Sequence, residues 1–357
     1  AYHGAAIANY VELVSFAKAA GRITAAGMVD NIGNDSFELK ARIFVNAAGP
    51  WIDTIRRIDD PDALPSIRLS KGVHLVFSQR VLPVRNALVL ASLDRRIVFV
   101  MPHGDYVIVG TTDTDFSGNP VTAAIDGQDV DYLLHVLNTY IDGAPAHGDI
   151  VAGYAGVRAL ADGSRAARAA SSVSREEVIL EDASGLISVA GGKLTTHRVI
   201  ADRIVTRIAR KFGRPIGRSP TLDTPLPGSA PHDRDCDALA QLAPNAREIL
   251  VSRYGARASI VASIALTSRA LAEPLTEGAP ALGAEALFAI RYEAAQTLRD
   301  FMCRRIGLTW RAPQQAPAAA RKAALIMGRE LGWDRGRIEE EISEFKAILY
   351  PRDAHPE

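Results

Sequence analysis

Two cysteines, Cys236 and Cys303, are all that 357 residues contain. Thiols so far apart in sequence make neither a disulfide framework nor a metal-ligand set, and they fit a reducing compartment. Neither sign of charge is in excess: 41 Lys and Arg balance 41 Asp and Glu. That balance removes bulk electrostatics as a reason to bind nucleic acid, and the local run RIARKFGRPIGR (207–218) reads as a solvated helix end. No apolar run approaches the ~18–20 residues that a membrane-crossing helix requires. The G-x-G-x-x-G phosphate loop of nucleotide-binding folds is missing too. The sequence opens AYHGAAIANYVELV, with no methionine and no signal-peptide pattern. Residues 7–14 already read as a strand within an ongoing fold, so the chain is expected to lack its true beginning.

What is present divides into two regions. RITAAGMVD (22–30) and SFELKARIFVNAA (36–48) read as strands joined by the turn NIGND, and WIDTIRRI (51–58) reads as a short helix. Four β-branched stretches between 67 and 113 predict an antiparallel sheet, with HGD (103–105) turning between the last two. DVDYLLHVLNTYI (129–141) has helical spacing, DIVAGYAGVRAL (149–160) returns to strand, and VILED and LISVA follow a polar loop. KLTTHRVIADRIVTRIARKFG (193–213) predicts a helix with Leu194, Ala201, Ile204, Val205 and Ile208 on one face. Four prolines in 219–231 mark a linker. The remainder, including 286–306, is helical in pattern, giving an α/β part to about residue 218 and an all-α part from about 230.

Two glycine turns follow strand-like segments: NAAGPW (46–51) and GGKLTT (191–196). Each precedes a helix-like segment, whose N-terminal N–H groups favour a polar or anionic ligand. Together with RLSKGVHLV (68–76), RIVFVMPHGDYVIVGTTD (96–113) and YAGVRAL (154–160), in this order, they resemble the FAD-dependent glycerol-3-phosphate dehydrogenases. These flavoproteins belong to the glycine-oxidase-like superfamily. The helical tail, with YEAAQTLRDFMCRR and LGW, resembles the same family's C-terminal domain.

The resemblance implies an α/β (α+β) Rossmann-like FAD/NAD(P)-binding fold lacking its first βαβ unit. The remainder of the FAD-binding domain would occupy 1–66 and 186–218, and an antiparallel β substrate domain 67–185. A linker at 219–231 would lead to an all-α domain at 232–357. It implies that Ala47, Ala48, Gly49, Pro50 and Trp51 approach FAD, and that Gly191, Gly192, Lys193, Leu194 and Thr195 lie against its isoalloxazine ring. Backbone N–H groups opening helix 193–213 would then stabilise charge on the reduced flavin, with the Lys193 cation tuning its potential. Arg158 and Arg175 correspond to arginines near the substrate, a phosphate monoester that guanidinium recognises in bidentate fashion. His74 corresponds to a substrate-side histidine suited to take the alcohol proton. Thr111, Thr112 and Asp113 correspond to a turn that shapes the site, while His103 and His197 are read as structural or exposed. Ala159 departs from the family's proline after the arginine.

The expected activity is oxidation of sn-glycerol 3-phosphate to dihydroxyacetone phosphate. Electrons would pass from FAD to ubiquinone or menaquinone, since the insertion of the oxygen-using branch is not seen. The expected location is cytoplasmic, peripheral on the inner face of a bacterial inner membrane, with homodimerisation left open. Without its phosphate loop the chain is expected to bind FAD poorly. A related FAD-dependent oxidase acting on an amine or amino acid, or a non-catalytic remnant, stands as the alternative.

Overall fold

The computed structural model describes residues 3–92, 94, 96–161, 176–229 and 236–349. Strands β1 (Val11–Ala19), β2 (Arg22–Asp30) and β3 (Ser36–Lys40) form an antiparallel meander. A second sheet has the order β11 (Glu177–Glu181), β12 (Ile187–Gly191), β4 (Val45–Asn46), in which β4 and β12 run parallel. The single strand expected over 36–48 is therefore two, in different sheets. The chain leaves the meander after Lys40, Phe44 packs edge-on against Phe16 at 5.9 Å, and the Phe44 carbonyl accepts from Ile187 N. The first strand also starts at Val11 rather than within 7–10.

The largest sheet has the order β10 (Ile150–Ala161), β5 (Ile67–Ser78), β8 (Tyr106–Gly110), β7 (Ile97–His103), β6 (Leu88–Ala91), with β9 (Thr114–Asp115) also on β5. Alternation along β5 sorts its two faces. Val73, Leu75 and Phe77 are fully buried and pack, with Val107 and Val109, against Leu133 and Leu137 of helix α2 (Gly127–Tyr140). A capping box in which Asp126 and Asp129 exchange hydrogen bonds starts α2. The other face carries Ser70, Gly72 and His74.

A small core joins the two sheet systems: Ile52 of α1 (Ile52–Asp59), Ala161, Ala190 and Ile67. Buried Asp53 of α1 accepts from Ser66 N, Ser66 Oγ and Ile67 N, fixing where β5 begins.

Helix α3 (His197–Lys211) starts later than the pattern predicted, because a 3-10 turn, Leu194–Thr196, intervenes. None of its residues is buried, and Leu194 and Val205 are 88% and 62% exposed. What holds α3 to β11 is polar: Arg203 pairs with Glu177, and Arg207 and Lys211 with Glu181.

The helical part comprises α4 (Asp237–Ala240), α5 (Pro244–Tyr254), α6 (Ala258–Ala265), α7 (Arg269–Ala272), α8 (Gly283–Glu293), α9 (Leu308–Arg311), α10 (Ala316–Leu331) and α11 (Arg335–Ala347). Buried Ala316, Ala319, Ala320, Ala323 and Ala324 give α10 a small-residue stripe along one face. The continuous helix expected over 286–306 is broken. Ala294 turns left-handed, at φ 53, and Asp300 draws the N–H groups of Gln296 and Thr297 out of the helical ladder. Arg305 donates to the Glu293 carbonyl that the break leaves behind. Among the described residues no helix is long and apolar enough to cross a membrane.

Candidate active site

Both glycine turns leave the same end of the parallel β4–β12 pair, where ligands sit in open α/β sheets. Asn46, almost fully buried, organises the first. Its Nδ2 donates to Ile52 O and Ser188 Oγ, and its Oδ1 accepts from Ala48 N, tying loop 47–51 to β12. Gly49, at φ 55, has no atom within 4 Å of where a Cβ would stand, and Trp51 is partly exposed. The second turn is tight on its protein side. A Cβ on Gly191 would stand 2.8 Å from Ala161 Cβ and 2.9 Å from the Glu176 carbonyl. Gly192 has φ 89 and would meet Ile200 at 2.7 Å. Lys193 is extended and exposed, and Thr196 N closes a turn on its carbonyl. Positive-φ glycines with exposed flanks permit close approach of a planar ring to backbone. Loops 47–51 and 191–195 thus fit one wall of a flavin site.

Three residues along β10 from Ala161 stands Arg158. The register sets rows of residues across the open face: Tyr154 opposite His74, Gly156 opposite Gly72, Arg158 opposite Ser70. The Arg158 guanidinium folds back over the bare Gly72, where a Cβ would stand 2.6 Å from one of its nitrogens. It donates to Thr112 O at 3.3 Å and Thr111 Oγ1 at 3.0 Å, and Asp113 lies 3.7 Å away. Asp113 in turn accepts from Ser70 Oγ. The Thr111–Asp113 segment is therefore the cradle of the guanidinium.

His74 stacks on Tyr154, ring centroids 4.8 Å apart and planes 16° apart. Burial, and secondarily the Arg158 charge, lower its pKa to about 4, so the imidazole is neutral near pH 7. Neutral imidazole is the form able to accept a proton.

The sheet thus brings His74, Arg158 and Thr111–Asp113 together, and the ends of β4 and β12 bring the two glycine loops together. Arg175, with Arg165 and Arg168, lies outside the described residues. His103 packs on Trp310 of α9, and His197 Nδ1 lies 2.8 Å from Leu194 O. A cavity of about 550 Å³ opens on the helix side of the sheet. Its cations are already neutralised, Lys71 by Asp126 and Asp129 and Arg96 by Asp94, so it offers an anion little. Sequence reasoning missed Asn46, Gly72, Gly110 and Tyr154. All four lie within quoted motifs, and only the folded arrangement reveals what they touch.

Two family models match the chain: FAD dependent oxidoreductase over residues 1–201, and the C-terminal domain of alpha-glycerophosphate oxidase over 219–338. Glycerol-3-phosphate dehydrogenase 2 of Mycobacterium tuberculosis is 30% identical over 353 residues, covering 97% of this chain and 60% of the relative. The human mitochondrial glycerol-3-phosphate dehydrogenase is 31% identical over 373 residues, covering 98% of this chain and 50% of its own length. The chain thus spans half to three-fifths of these relatives. The solved glycerol-3-phosphate dehydrogenase of Bacillus halodurans, complexed with FAD, superposes with a TM-score of 0.83 at 26% identity, covering 98% of this chain and 71% of that one. By the match of its first 201 residues, this chain belongs to the FAD-dependent oxidoreductase family.

Proposed function

We propose that this chain carries the substrate side, and one wall of the cofactor site, of a flavoenzyme that oxidises sn-glycerol 3-phosphate to dihydroxyacetone phosphate. The observation that carries the reading is the pairing on one sheet face of an anchored guanidinium, Arg158, with a neutral imidazole, His74. Arg158, joined by Arg175, binds the phosphate in bidentate fashion. His74 accepts the proton of the secondary hydroxyl as the C2–H bond breaks. Loops 47–51 and 191–195 would hold the isoalloxazine, with Lys193 supplying a cation beside it. FAD, when bound, accepts the hydride and passes the electrons on.

The acceptor we propose is a membrane quinone, ubiquinone or menaquinone, reached by peripheral contact with the cytoplasmic face of a bacterial inner membrane. The domain division proposed is 1–66 with 186–218, 67–185, and 232–357.

The test is anaerobic. FAD is titrated into the chain by fluorescence quenching, and the flavin band is then followed on adding sn-glycerol 3-phosphate, glycine or sarcosine under saturating FAD. Bleaching by glycerol 3-phosphate alone is expected. Bleaching by glycine or sarcosine in its place assigns an amine oxidase. Bound flavin that only dithionite reduces overturns the reading.

A further inference from the structure

An imidazole that takes a proton in a catalytic step is usually held by a hydrogen bond from its second nitrogen to a carboxylate or carbonyl. His74 has no such bond: neither ring nitrogen is hydrogen-bonded to a described residue, and its ring stacks on that of Tyr154. Strand β5 lies between β10 and β8, and His74 sits in register with Tyr154 on one side and Gly110 on the other. A Cβ on Gly110 would stand 2.4 Å from His74 Cδ2 and 2.8 Å from Cγ, so the ring leans onto bare backbone there. We propose that Tyr154 and Gly110 form a slot that fixes the plane of the His74 imidazole, with Tyr154 a positioning residue that acts by stacking.

Packing thus replaces the hydrogen bond. A free imidazole on two rotatable bonds would lose conformational entropy on each approach of substrate, and the slot meets that cost during folding. The Tyr154 hydroxyl makes no hydrogen bond to a described residue, and burial raises its pKa. The ring, not the hydroxyl, is therefore what the slot uses. Because no carboxylate touches the imidazole, nothing in the slot stabilises its charged form, in keeping with the lowered pKa of His74.

The proposal rests on His74 being the proton acceptor, and its test separates the two. Histidines are labelled with 13C at Cε1 in the full chain, and His74 is assigned by loss of its signal in His74→Gln. In the parent chain His74 is expected at a ring-current-shifted position, titrating near pH 4. Tyr154→Phe keeps both properties. Tyr154→Leu loses the ring-current shift. Gly110→Ala displaces the signal without touching Tyr154. Under saturating FAD, flavin reduction by glycerol 3-phosphate falls about tenfold to a hundredfold in Tyr154→Leu. Its substrate half-saturation stays within about twofold and Tyr154→Phe restores the rate, because Arg158 is untouched. An unchanged His74 shift in Tyr154→Leu overturns the slot, whatever the rate. If the signals move as expected while the parent flavin is never reduced by glycerol 3-phosphate, the slot stands and the oxidation reading falls.

Discussion

The guanidinium of Arg158 lies over Gly72, on the neighbouring strand, where a single methyl group would stand 2.6 Å from one nitrogen and 2.7 Å from the other. Gly72→Ala must therefore swing the arginine out of the Thr111–Asp113 cradle. Half-saturation by glycerol 3-phosphate is expected to rise about tenfold or more, the order of one charge-assisted hydrogen bond. Global stability, read by urea unfolding, should also fall, because the same methyl would stand 2.7 Å from Thr111 Oγ1 within the sheet.

Arg158→Lys keeps the charge and loses the fork. One ammonium cannot replace two parallel N–H donors, so roughly 2 kcal/mol of substrate binding, about 30-fold, should disappear. Binding of sn-glycerol 3-phosphate followed by calorimetry checks this. An affinity equal to the parent's would remove Arg158 from the phosphate site.

The low pKa of His74, about 4, sets a pH window with a definite sign. The unfolded chain takes up this proton near pH 6.5 and the folded chain only near 4, so the unfolded state binds more protons between them. Stability is full above pH 6.5 and falls as pH drops through the window. Urea midpoints at pH 7, 5 and 4 should therefore decline more steeply in the parent than in His74→Gln. The rate of flavin reduction should hold down to about pH 5 so far as His74 limits it.

Two glycines with positive φ should respond differently to alanine. At Gly49 the space is open and only left-handed strain is added, about 1 kcal/mol. At Gly191 the same strain combines with contacts near 2.8 Å to Ala161 and the Glu176 carbonyl, so about 2–4 kcal/mol is expected. Urea unfolding of the two variants side by side measures the difference.

In the helical part, Glu285 is fully buried and accepts from Arg253, Tyr254 OH and Leu282 N. Glu285→Ala leaves Arg253 buried without its counter-charge and should cost about 3–5 kcal/mol. Calorimetric unfolding is the check.

Strand 22–30 was legible to the residue, because alternation and turn residues are local signals. The family was legible from ordered motifs. What escaped depended on distant partners. The split of 36–48 follows from Phe44 meeting Phe16 and β4 meeting β12, neither visible in a window of ten residues. The apolar face assigned to residues 194–208 carries no buried residue, and salt bridges to Glu177 and Glu181 tie α3 to β11. The break at Ala294 is made by Asp300, six residues on, and by Asn9 from near the other end of the chain. Tyr154 was quoted within YAGVRAL yet went unassigned, since stacking on His74 needs the register of β10 against β5.

The Asp300 carboxylate also accepts from the Tyr10 hydroxyl at 2.8 Å, across 290 positions of sequence. A ribosome adding ~5–20 residues per second spends roughly 15–60 s between the two. Through that interval Tyr10, just before the meander, must wait without its partner, and the helical part then closes a loop that encloses every sheet of the described fold. Assembly of this chain is therefore a circle completed from its far end.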